Sequence, residues 1–163
     1  MDRHSAVPWS FFAMLSFTAF AMNWIWEMVQ MPAFVEMAGR TWRETALDCT
    51  AATLGDVAMT LAICGIGTLA AGDLRWGMRG NWNVYVATAL LGGLCAAAFE
   101  WFAQATGRWT YNEKMPVVPG LKLGLWPLLQ LSLLTPLSFW TARCIVKSLE
   151  HAGDRQRPRG PIP

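Results

Sequence analysis

Charge is what this sequence has least of. Only 15% of its 163 residues are Asp, Glu, Lys or Arg, against about a quarter in an average soluble domain. Thirteen basic and eleven acidic side chains leave a net charge of +2, too little to attract a polyanion, so no nucleic-acid partner is expected. Histidine is almost missing: His4 and His151 fall in the terminal segments, which leaves no imidazole ligand in the body of the chain and no metal site to expect. The four cysteines include no Cys-x-x-Cys pair. Cys64, Cys95 and Cys144 fall in apolar stretches and Cys49 in a loop, a pattern that fits neither a disulfide scaffold nor a zinc or haem site. No cofactor is implied. There is no Gly-rich phosphate loop, no Gly-x-Ser-x-Gly elbow and no internal repeat.

What is present is apolar and aromatic: 54% of residues are hydrophobic and ten are Trp. The length suits one domain. Crossing a hydrocarbon core of ~30 Å takes about 20 mostly apolar helical residues. Four stretches qualify, at about 9–31, 52–71, 84–106 and 124–146, and nearly all charges lie between them. The fold class expected is therefore all-α, an integral membrane bundle of four transmembrane helices over residues 1–147. The Arg- and Pro-rich residues 148–163 read as a disordered cytoplasmic tail. Arg3 and Ala19-Phe20-Ala21 loosely imitate a signal peptide, but the apolar run continues past that point through Trp24, Ile25 and Trp26, which favours an uncleaved helix. Thr41-Trp42-Arg43-Glu44 has capping-box spacing and predicts an interfacial helix leading into the second span. Gly107 suits the stop of the third helix, and the small residues Cys64–Gly67, Gly92-Gly93 and Ala96–Ala98 suit close helix packing in lipid.

Lys and Arg set the expected orientation. With four spans, one side carries Arg3, Arg75, Arg79, Arg143, Lys147, Arg155, Arg157 and Arg159. The other carries Arg40, Arg43, Arg108, Lys114 and Lys122. Eight against five predicts a multi-pass protein of the cell membrane, the inner membrane in a bacterium, with both termini cytoplasmic.

The charges that survive inside the spans carry the functional lead. Burying a carboxylate in lipid costs roughly 2.5–3.5 kcal/mol on the insertion scale, yet Glu27, Asp56 and Glu100 are kept. At ~1.5 Å per residue they lie about 6, 6 and 9 Å from the outer ends of their spans, and Gln130 lies about 9 Å in. The helices alternate in direction, so this shared level does not follow from sequence position. Asn23 and Gln30 share a face with Glu27, Thr53 and Thr60 with Asp56, and Gln104 with Glu100. Trp24, Trp26, Trp101, Phe102 and Trp126 surround the same level. Singly, each of these residues also fits an interfacial anchor or an interhelical hydrogen bond. Together, the three acids favour an outward-facing pocket able to hold or donate protons. The loop 107–123 has two prolines and a Pro-Gly turn, predicting an ordered, extended excursion. Trp109, Tyr111, Met115, Val117 and Val118 make it too apolar for a solvated linker, so it is either a lid or an interfacial loop.

From Glu100 to Gln130, the segments Gly107-x-Trp109-Thr110-Tyr111-Asn112 and Gly124-x-x-Pro127-Leu128-x-Gln130 resemble the heterodimer-type carotenoid (lycopene) cyclase domains. The resemblance covers about a fifth of the chain. Those domains are small helical membrane units with an acidic residue, a Gly-x-Trp-x-Tyr motif and a Pro-x-Glu-Glu motif. It implies protonation of a polyene followed by ring closure, with Glu100, Trp109 and Tyr111 carried over. Where the family has paired glutamates, this chain has Leu129 and Gln130, and a glutamine does not donate a catalytic proton.

Three functions remain open on the sequence. One is an intramembrane acid–base enzyme on an isoprenoid or lipid-like substrate. Glu27, Glu100 and Asp56 would then be catalytic, and Asn23, Trp24, Gln30, Trp101, Gln104, Trp109, Tyr111 and Gln130 would bind substrate, with ring faces stabilising developing positive charge. A second is a proton-coupled transporter or small-molecule binding subunit, working as a homo-oligomer. The third is an assembly partner for another membrane protein, without catalysis.

Overall fold

In the computed structural model, which describes residues 9–155, four helices account for most of the chain. They are α1 (Trp9–Gln30), α2 (Trp42–Ala71), α3 (Trp82–Ala105) and α4 (Leu125–Arg155). Arg3, His4 and residues 156–163, with Arg157 and Arg159, lie outside the described residues. The helix boundaries have local causes. Thr41 and Glu44 form the reciprocal capping box that starts α2: the Thr41 amide donates to Glu44 Oε2 at 2.9 Å and the Glu44 amide to Thr41 Oγ1 at 3.4 Å. Gly72, at φ +62°, turns the chain out of α2 in the left-handed conformation that a side chain disfavours. Asn81 caps α3 by accepting from the Val84 amide.

The start of α2 at Trp42 joins the expected interfacial segment and second span into one 30-residue helix. Cys49, expected in a loop, therefore lies within α2 and is buried. A larger correction concerns α4. Among the described residues, three helical stretches are long and apolar enough to cross a membrane, Trp9–Ala33, Trp42–Ala71 and Trp82–Ala105, not the expected four. The 31-residue α4 falls short because it carries Gln130, Thr135, Ser138, Arg143, Lys147 and Glu150. Its place in the bundle explains how it can be more polar. It packs along α1 on one side and α3 on the other, so Gln130, Thr135 and Ser138 are buried against protein. Past the expected end at residue 146, α4 continues to Arg155, so 148–155 are helical.

The helices run antiparallel in sequence order around the bundle. The α1/α2, α1/α4 and α3/α4 seams are extensively packed and the α2/α3 seam is sparse. Gly92 sets the α3/α4 approach, since a Cβ there would stand 2.9 Å from the Leu131 carbonyl carbon. The terminal end is sealed by Phe11, Leu15, Val84, Phe139 and Val146, with Trp76 folded against them. Phe11 and Phe139 meet edge-on at 6.0 Å. Exposed tryptophans mark both ends, Trp9 and Trp82 at this one, Trp42 and Trp101 at the other, as suits rings at two membrane interfaces.

Candidate functional site

At the end opposite that apolar plug the interior is polar. Two successive turns of α1 place Asn23, Glu27 and Gln30 on its buried face, spaced by four and three residues. On α2 the same periodicity buries Thr53, Asp56 and Thr60. Gln130, in the second turn of α4, joins the two helices. Its Nε2 lies 2.8 Å from Glu27 Oε1, 2.9 Å from Asp56 Oδ2 and 3.1 Å from Asn23 Oδ1. Gln30 donates to Glu27 at 3.0 Å and to Gln130 Oε1 at 3.0 Å, while Trp26 donates to Gln30 at 3.1 Å. Two N–H groups on Gln130 face three acceptors, so this amide is fully used. The hydroxyls of Thr53 and Thr60, either side of Asp56, have no hydrogen-bond partner.

Glu100 belongs to a second group, built by α3 and the loop that follows it. The Tyr111 hydroxyl donates to Glu100 Oε2 and accepts from the Gly124 amide at 3.0 Å, and Trp109 Nε1 reaches the same carboxyl oxygen at 3.4 Å. Gly124 lets the loop pack closely here: a Cβ would stand 3.0 Å from both the Tyr111 ring and Met115 Sδ, close enough that those side chains would have to give. Burial, followed by the hydrogen bond to Glu100, pushes the Tyr111 phenol up to about 12.

The loop packs down over the end of the bundle. Val35 donates to Thr110 O at 2.9 Å, Asn112 N to Ala33 O at 3.0 Å, and Asn112 Nδ2 to Pro32 O at 2.9 Å. Ala33, Phe34 and Met115 bury one another, with Met37, Trp109 and Tyr111 packed around them. Trp109 stands edge-on to Phe34 at 6.2 Å and tilted on Phe99 at 5.7 Å.

Beneath this cover lies a cavity of about 630 Å³, within the range that encloses a drug-sized ligand. Glu27, Asp56 and Glu100 all line it, as do Gln30, Trp109 and Gln130. The three carboxyls are buried, at 6%, 8% and 4% exposure. Asn23 reaches the cluster through Gln130, and Tyr111 through Glu100. Three further sequence candidates lie elsewhere. Trp24 donates to Thr50 and ties α1 to α2, Trp101 is 67% exposed on the outer surface, and Gln104 is exposed near Tyr111. Trp26 and Trp126 pair with each other at 6.4 Å outside the cavity.

Several wall residues were not singled out from the sequence. Met59 shares the face of Asp56, and Ala96 that of Glu100, so extending the helical spacing from each acid finds them. Gly55 and Phe99, each directly before an acid, lie about 100° round the helix and would not be found that way. Phe34 and Arg108 come from the loops and carry no such signal. Among the described residues no group of three or more His, Cys, Asp or Glu is placed to hold a metal ion. Compared with protein-family models, curated proteins and solved structures, the chain matches none.

Proposed function

We propose that this chain is a multi-pass membrane protein that carries out acid–base chemistry on an isoprenoid or similar unsaturated lipid. The convergence of Glu27, Asp56 and Glu100, from three helices, on one cavity carries this proposal. Intramembrane carboxyls are costly and are usually functional when they face a shared interior. α4 acts as the fourth crossing, its polar side turned to α1 and α3 rather than to lipid. The lysine and arginine balance puts the lid outside and the termini in the cytoplasm.

The chemistry needs no cofactor. A carboxylic O–H bond breaks as a C–H bond forms on an alkene carbon, leaving a carbocation. A neighbouring double bond attacks it to close a ring, and a carboxylate removes a proton to restore an alkene. Atoms and charge balance, and the product is an isomer. Glu27 and Glu100 serve as the acid–base pair, and Asp56, sharing the Gln130 amide with Glu27, sets where the proton resides. The rings of Trp109, Phe34 and Phe99 at the cavity wall stabilise the cation through their electron-rich faces. The resemblance to carotenoid cyclase domains fits this scheme in one respect: Glu100, Trp109 and Tyr111 form a single hydrogen-bonded unit. It departs at Gln130, which here binds acids supplied by α1 and α2.

Expression in a carotenoid-producing host tests the proposal. A cyclised product should appear in the lipid extract and vanish with Glu27→Gln or Glu100→Gln, whereas an unchanged profile at stable expression contradicts it. A second reading, proton-coupled transport, draws on the buried unpaired hydroxyls of Thr60 and Thr135, which extend the polar interior away from the lid. Uptake indifferent to Glu27→Gln, Asp56→Asn and Glu100→Gln would remove it.

A further inference from the structure

The cavity has to be reached from somewhere, and three of its four sides are shut. The α1/α2, α1/α4 and α3/α4 seams are packed along their lengths, and α1 and α4 turn Glu27, Gln30 and Gln130 inward across theirs. The outer end is partly covered by the two loops, held by backbone hydrogen bonds of 2.9 and 3.0 Å and by the aromatic cluster around Phe34. What the loops leave open is rimmed by the charged, exposed Glu36, Arg40 and Arg108, a poor entrance for a hydrocarbon chain. The remaining side is the sparse α2/α3 seam. There the α2 wall is built from Ala51, Ala52 and Gly55, all exposed. A Cβ added at Gly55 would touch nothing within 4 Å. Ala96 faces them from α3. Along α2 the lining runs from Asp48 to Met59, about 16 Å of helix axis, so the gap reaches from headgroup depth well into the apolar part of the span. Small residues alone make no site. Here Asp56, one turn along α2 from Ala52, and Glu100, one turn along α3 from Ala96, are buried polar groups lining the same cavity at the gap's inner side.

We propose that the α2/α3 seam is a lateral portal, through which a single unsaturated hydrocarbon chain passes from the bilayer core to the three carboxyls while the lid stays closed. The walls select for this occupant. Alanine and glycine leave a slot rather than a bowl, Met59 and Phe99 make it apolar, and its volume encloses one chain end but not a two-chain phospholipid. The charged residues Arg40, Asp48 and Arg108 stand at its upper edge, where Arg40 and Asp48 pair at 2.8 Å. The proposal rests on the acid–base reading only for the nature of the chain, and the access route stands or falls separately.

The test is photolabelling in phosphatidylcholine nanodiscs with a farnesol carrying a terminal diazirine, followed by peptide mapping. In the wild-type protein the label should concentrate on residues 51–59 and 96–100. Gly55→Trp should cut that labelling about tenfold, the effect of ~1.4 kcal/mol of lost binding. Gly65→Trp adds the same bulk on α2, where a Cβ also meets nothing, ten residues from the portal, and should leave labelling unchanged. Labelling spread evenly over exposed Phe17, Ile25 and Leu133 overturns the portal even if Gly55→Trp does not fold. So does equal labelling of Gly55→Trp and wild type, or equal loss in both tryptophan variants. Seam labelling with no turnover at any carboxyl would sink the acid–base reading and leave the portal standing. Turnover unaffected by Gly55→Trp would do the reverse.

Discussion

Replacing Gln130 by Leu removes the joint between α1, α2 and α4 while keeping nearly the same volume, so packing changes little. The Gln130 amide has two hydrogens to share among Glu27, Asp56 and Asn23, and its oxygen accepts from Gln30. That makes three bonds lost at most. Interhelical hydrogen bonds in a bilayer average ~0.6 kcal/mol and reach ~1.7, which puts the cost at about 2 kcal/mol and below about 5. The upper part of that range is expected, because two buried carboxyls lose their shared donor. Steric-trap unfolding in bicelles measures this directly against wild type. A change under about 0.5 kcal/mol, the size of an ordinary surface substitution, would mean that the three helices do not meet at Gln130, and the site as described would fail.

Other predictions use different parts of the molecule. Gly92→Val should cost about 1–3 kcal/mol by overpacking, since its Cβ runs into the Leu131 carbonyl, whereas Gly65→Val, facing open space, should cost little; equal effects would contradict the close α3/α4 approach. In a Tyr85→Phe background, the phenolate absorbance of Tyr111 should titrate near 12 rather than 10. Because the folded value is the higher, the Tyr111–Glu100 contribution is fully present below pH 10 and is lost as pH rises through about 12. A midpoint at 10 would show that the lid contact is absent. In a cysteine-free background, a membrane-impermeant maleimide applied to intact cells should label Glu113→Cys and spare Ser148→Cys; the reverse pattern inverts the proposed topology.

The positions of α1, α2 and α3 were legible because a helix with the length and apolar composition of a membrane span stands out in a sequence. The Thr41–Glu44 cap could be read as well, since its four residues carry their own partners. The polarity of α4 was the part that a span-by-span view handled badly. Hydropathy assumes that a helix faces lipid, and α4 faces α1 and α3 instead. The level shared by Glu27, Asp56, Glu100 and Gln130 was visible from counting residues, but which of them touch was not. Gln130 joins the acids of α1 and α2, while Glu100 turns to Tyr111 and Trp109, a division set by how the loop folds back. That fold-back depends on Phe34 meeting Tyr111 across almost 80 residues of chain, a pairing with no periodic trace. Trp101 shows the converse. Adjacency to Glu100 suggested a pocket wall, but one residue along a helix is a rotation of about 100°, and the ring points outward.

The central claim is that these carboxyls exchange a proton with a carbon of an unsaturated chain inside the membrane. Incubating the protein in nanodiscs with a linear polyene in D2O, then locating deuterium in the recovered lipid by mass spectrometry, tests it most directly. One solvent deuteron should appear on a ring or chain carbon with wild-type protein, and none with the combined Glu27→Gln, Asp56→Asn, Glu100→Gln variant. Incorporation that persists in that variant, or a wild-type protein that leaves the polyene unlabelled while folded and binding it, would contradict the account.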